Sequence, residues 1–84
     1  MAKRERANPN GKIRNLHRLY MEDRRAFVRL WKDISRKSPC SFDNLRLIMY
    51  GARLPGPELA EIIRLSAKDY GVRIIRRELR PVAV

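Results

Sequence analysis

The chain is short of nearly everything that supports redox, metal or membrane chemistry. Its single cysteine, Cys40, cannot form an intrachain disulfide, which excludes a disulfide-stapled extracellular scaffold and leads us to expect a reducing, cytoplasmic compartment. There is one histidine, His17, and no zinc-ligand spacing. The four glycines form neither a phosphate-cradling loop nor a dinucleotide fingerprint. No apolar run approaches the roughly 18 residues of a membrane span, and residues 1–11 lack the apolar stretch of a signal peptide. No cofactor, metal, membrane contact or enzymatic centre is expected from such a chain. His17 borders the apolar side of its helix and reads as a partly buried structural imidazole. Cys40 lies near a helix start that would lower its pKa, but it has no base partner and reads better as inert packing. Glu22, Asp23, Glu58 and Glu61 all have arginines nearby, so ion pairing explains them better than metal ligation.

Acid is scarce as well. Nine Asp and Glu face 20 Lys and Arg in 84 residues, a formal charge of +11. Fifteen of the bases are Arg and five are Lys, a bias toward planar, bidentate contacts with phosphate or carboxylate. The excess is segregated: net +8 over residues 1–37, net 0 over 38–71 and net +3 over 72–84. Solubility alone explains such segregation less well than a polyanionic partner does. At this length one small domain is possible, burying only about 60% of the surface its unfolded chain exposes.

The most specific signal lies in residues 12–37. Read as one α-helix, this segment places Arg14, Arg18, Arg25, Arg29, Lys32 and Arg36 within a sector roughly 60° wide. Ile13, Leu16, Leu19, Tyr20, Phe27, Leu30, Trp31 and Ile34 take the opposite side. Such a helix would seal one face in the core and carry a cationic rail on the other, on the order of 33 Å from Arg14 to Arg36. Asp23 interrupts the apolar seam, so the helix either bends at Glu22-Asp23 or pairs Asp23 with a cation such as Arg24. The continuous helix is the preferred reading.

Residues 1–11 read as a disordered basic arm carrying Lys3, Arg4 and Arg6 and ending in the turn-favouring Asn8-Pro9-Asn10-Gly11. A second helix is predicted over 42–50, capped by Ser41 or Ser38 and stopped by Gly51 in a left-handed conformation. Arg53-Leu54-Pro55-Gly56-Pro57 must be a connector. A third helix starts with Pro57 in its first turn and Glu58 and Glu61 at its acid-favouring end, and Gly71 stops it. Val72, Ile74 and Ile75 then predict a β-strand over 72–79. A lone strand leaves backbone groups unpaired, so it predicts a homodimer or a strand-adding partner. The alternative is an irregular tail lying over the helices. The fold expected is thus mainly α: a three-helix domain over 12–84 with a C-terminal strand and an N-terminal arm.

Function follows from charge. The expectation is a non-enzymatic nucleic-acid-binding protein, for DNA or RNA, contacting phosphates through the rail. Lys3, Arg4 and Arg6 would follow the chain into a groove, and Arg76, Arg77 and Arg80 would make a secondary contact beside Arg73. A helix-turn-helix reader is the weaker version, because the connector is long and Glu58 and Glu61 would face the bases; Arg64 and Lys68 are the residues it would use. The rival is a small protein-binding modulator, of the sort that phages or other mobile elements encode, whose arginines grip an acidic protein surface of a host complex. A subunit of a large ribonucleoprotein also agrees with the Arg content.

Overall fold

The computed structural model describes residues 11–79, and among these the chain is mainly helical. Five helices follow in order: α1 (Arg14–Glu22), α2 (Arg24–Lys37), α3 (Phe42–Met49), α4 (Pro57–Lys68) and the single turn α5 (Arg76–Leu79). The continuous helix expected over 12–37 is therefore two helices, broken at one residue. Asp23 leaves the helical region at φ −144°, ψ 80°. Its backbone N–H still closes α1 on the Leu19 carbonyl at 2.8 Å, and its own carbonyl accepts the first bond of α2, from Phe27 N–H at 3.0 Å. Side chains serve the backbone groups stranded between. Ala26 N–H donates to Asp23 Oδ1 at 3.1 Å, and Arg24 Nε donates to the Tyr20 carbonyl at 2.9 Å while its guanidinium lies 3.7 Å from the centre of the Tyr20 ring. An N-capping carboxylate is worth about 1 kcal/mol. That offsets the broken register, so the acid that breaks the seam also opens the next helix.

The start of the fold is pinned to α3. Ile13 N–H donates to the Met49 carbonyl at 2.8 Å, and Gly11 lies against Gly51. Gly51 ends α3 at φ +79°, and a Cβ built there would stand 2.6 Å from the Gly11 carbonyl oxygen, so this position requires glycine twice over. Gly11 thus belongs to the packed domain rather than to the arm in which it was expected. The rest of the expected arm, residues 1–10, lies outside the described residues. The local signals around α3 and α4 hold: Ser41 Oγ caps Asn44 N–H at 3.0 Å, Pro57 opens α4, and Gly71 at φ +72° closes the turn that ends α4.

Phe27, Leu16, Leu30, Ile34, Leu45, Ile48 and Ile63 form the centre of the core, joined by Ile13, Met49 and Leu79. Tyr20 and Trp31, expected on the sealed face, are only half-buried, and with Phe42, Leu59 and Ile62 they pack around it. Phe27 meets the Tyr20 ring at 4.8 Å and the Phe42 ring at 5.6 Å, both edge to face, and Trp31 continues the cluster onto Phe42 at 5.5 Å. Trp31 Nε1 also donates to the Cys40 carbonyl at 2.8 Å, fastening the loop between α2 and α3.

The strand expected over 72–79 does not form. Residues 72–75 belong to no regular element and have no ladder partner, and 76–79 coil into α5. The alternation that suggested a strand is real in burial: Val72 and Ile74 are buried while Arg73 and Ile75 are exposed. Their inward side chains pack on helices instead of pairing in a sheet. The backbone is satisfied by Val72 N–H on the Ala67 carbonyl at 3.0 Å, Asn15 Nδ2 on the Arg73 carbonyl at 2.8 Å, and Glu78 Oε1 accepting from Ile75 N–H at 3.1 Å. With no strand among the described residues, strand pairing no longer supports a homodimer.

Candidate nucleic-acid interface

The six rail cations are all exposed but are divided between two helices. Arg14 and Arg18 stand one turn apart on α1. Arg25, Arg29, Lys32 and Arg36 keep their four-three-four spacing on α2, opposite buried Phe27, Leu30 and Ile34. The uninterrupted rail is therefore replaced by a short pair and a longer row, the row spanning roughly 16 Å. Among the described residues Arg14, Arg18, Arg25, Arg29 and Lys32 form no ion pair. Arg36 does: it is bound to Asp33, whose other carboxylate oxygen accepts from Tyr70 Oη at 2.7 Å.

Of the expected secondary cluster, Arg76 is engaged in structure. Arg76 reaches Glu61 at 3.2 Å and so fastens α5 to α4, while Arg77 is exposed. Arg80 lies outside the described residues, as do Lys3, Arg4 and Arg6. Arg64 also binds Glu61, one turn away on α4. Hydrogen bonds from Arg64 and then Arg76 hold the Glu61 carboxyl down to about 2, against an ordinary value of 4.5, and the same carboxylate raises the Arg64 pKa. Because the folded value lies below the unfolded one, this clamp stabilises the fold fully above pH 4.5 and is lost as pH falls toward 2. Glu61→Gln should remove that acid-range dependence. Thermal melts between pH 2 and pH 5 check it: the wild type should lose stability more steeply than the variant over this range.

Two depressions flank the segment after α4. One, about 380 Å³, is lined by Arg64, Lys68, Gly71, Val72, Arg73 and Ile74. The other, about 330 Å³, is bordered by Arg18, Glu22, Tyr70 and Arg73 among others. Arg73 belongs to both. In the sequence Arg73 groups with Arg76 and Arg77, and Arg64 and Lys68 stand out only as candidates for base reading. The usable signal was the four-residue spacing of Arg64 and Lys68; their meeting with Arg73 depends on the chain doubling back at Gly71.

The single histidine and the single cysteine both lie against neighbouring side chains. His17 sits edge-on to Tyr50 at 5.4 Å, and partial burial, then the charge of Lys12, lowers its pKa. Cys40 is buried, and loss of solvent raises its thiol pKa although Asn44 Nδ2 lies 3.8 Å from the sulfur. The lowering expected from the start of α3 is thus outweighed by burial. Among the described residues no group of three or more His, Cys, Asp or Glu is placed to hold a metal, and no helix is long and apolar enough to cross a membrane. No known protein family, curated protein or solved structure matches the chain.

Proposed function

We propose that this protein binds nucleic acid, DNA or RNA, through the phosphate backbone without catalysing a reaction, and that α2 makes the main contact. The observation that supports this reading is the row Arg25, Arg29 and Lys32: exposed, unpaired among the described residues, and held on one rigid helix whose other face is sealed in the core. Guanidinium groups without a carboxylate partner keep their full charge and donor set for phosphate oxygens. Arg36 extends the row with its charge partly offset by Asp33, and Arg14 and Arg18 add a second contact on α1. Arg76 and Arg77 are secondary, Arg76 being already committed to Glu61. Lys3, Arg4, Arg6 and Arg80 would add charge but are not required for the α2 contact. Contacts of this kind read backbone rather than base, so sequence preference is weak.

A salt series tests the reading. Binding to a DNA duplex should weaken with a log–log slope of about −3.6 for four phosphate contacts, and binding to a single strand with a slope of about −2.8. Fluorescence anisotropy with a duplex, a single strand and a structured RNA measures this directly. No measurable binding, or a slope near zero for all three, rejects the proposal and leaves an acidic protein surface as the better partner.

A further inference from the structure

We propose that the depression beside the C-terminus of α4 receives the terminal phosphate of a nucleic-acid strand, held by Arg64, Lys68 and Arg73. This rests on the nucleic-acid reading above and adds a feature the helix faces do not supply: a preference for strand ends.

The site is assembled from two parts of the chain. Arg64 and Lys68 stand one turn apart on α4, and after Gly71 the segment 71–74 returns beside them. Val72 and Ile74 turn inward, 7% and 4% exposed, which leaves Arg73 between them facing out. Gly71 contributes backbone only, with nothing within 4 Å of where a Cβ would stand, so the concavity stays open at that point. The last carbonyls of α4 are occupied by the turn, Gly71 N–H donating to Lys68 and Val72 N–H to Ala67, each at 3.0 Å. The repulsion that a bare helix C-terminus would exert on an anion is thereby reduced.

Charge selects the ligand. No carboxylate lines this depression, although Glu22 borders the neighbouring one and exposed Asp69 lies nearby in the chain. Glu61 offsets Arg64. Lys68 and Arg73 form no ion pair among the described residues, so two positive charges remain uncompensated. A phosphomonoester carries about −1.5 to −2 at neutral pH and matches them, whereas an internal phosphodiester carries a single charge. At about 380 Å³ the depression has room for a phosphate together with its sugar. Arg73 and then Arg18 lead from it, through the second depression, toward the cations of α1. A strand whose internal phosphates follow those cations can therefore end here.

Labelled 12-nucleotide single strands with a 5′-phosphate, a 3′-phosphate or hydroxyls at both ends provide the test, using the full chain at fixed ionic strength. One of the phosphorylated strands should bind roughly tenfold tighter than the hydroxyl strand, the scale of an added charge-assisted contact. Inorganic phosphate at matched ionic strength should erase that excess. Lys68→Ala with Arg73→Ala should bind the phosphorylated and hydroxyl strands alike, and Lys68→Arg with Arg73→Lys should restore the preference. Equal binding of all strands by the wild-type protein overturns this proposal alone, and so does a preference that survives the double alanine variant. Phosphate-induced shifts of the Arg73 amide without strand discrimination would assign the site to free phosphate and also overturn it. If no strand binds at all, the nucleic-acid reading fails and this one falls with it.

Discussion

Reversing the charge at Arg25, Arg29 and Lys32 together should lower affinity for a DNA duplex by at least on the order of 100-fold near 0.15 M salt. The magnitude follows from counterion release: each phosphate contact accounts for about 0.9 of log–log slope, hence about fivefold in affinity at that ionic strength. Three lost contacts should flatten the slope by about 2.7, and repulsion from the new carboxylates deepens the loss. The three side chains are exposed and form no ion pair among the described residues, so helicity should be unchanged by circular dichroism. Arg46→Glu with Arg53→Glu is the matched control, because those cations lie elsewhere, Arg46 beside Asp43 and Arg53 on Asn44 Oδ1 at 2.7 Å. If the control loses as much affinity per charge as the α2 variant, net charge drives binding and the α2 face has no special role.

Replacing Phe27 by Ala should cost the domain most of its stability. Phe27 is fully buried and is the side chain on which the Tyr20 and Phe42 rings converge. Truncating a buried phenylalanine removes about 3–5 kcal/mol, against the 5–15 kcal/mol typical of whole domains. A chain of 84 residues starts toward the lower end of that range. The melting temperature should fall by more than about 12 °C, or the cooperative transition should vanish. A fall under 5 °C in a melt followed at 222 nm would show that the aromatic cluster is not where the stability resides.

The punctuation of the fold was legible because its chemistry is local. Ser41 at a helix entrance, Pro57 in a first turn, and Gly51 and Gly71 at helix exits act through their own backbone angles and nearest N–H groups. The break at Asp23 was visible only as a choice. A helical wheel counts periodicity, whereas the outcome depends on whether a carboxylate cap and an Arg24 side chain can replace backbone bonds, which the wheel does not weigh. The false strand has the opposite origin. Alternation at Val72, Arg73, Ile74 and Ile75 reports which side chains face inward, and a segment packed on helices yields the same pattern as one paired in a sheet. Cation spacing within each helix could likewise be read in advance. The meeting of Arg64, Lys68 and Arg73 could not, since it arises from where the chain returns after Gly71.

Trp31 turns the domain into its own optical probe. The chain has a single tryptophan, on the proposed binding helix and one residue before Lys32, with its indole nitrogen held by the Cys40 carbonyl. Emission excited at the red edge of the tryptophan absorption band, beyond that of the tyrosines, therefore comes from one place. A nucleic acid settling on α2 would be registered there without any attached dye, and loosening of the α2–α3 loop would shift the spectrum as water reached the ring.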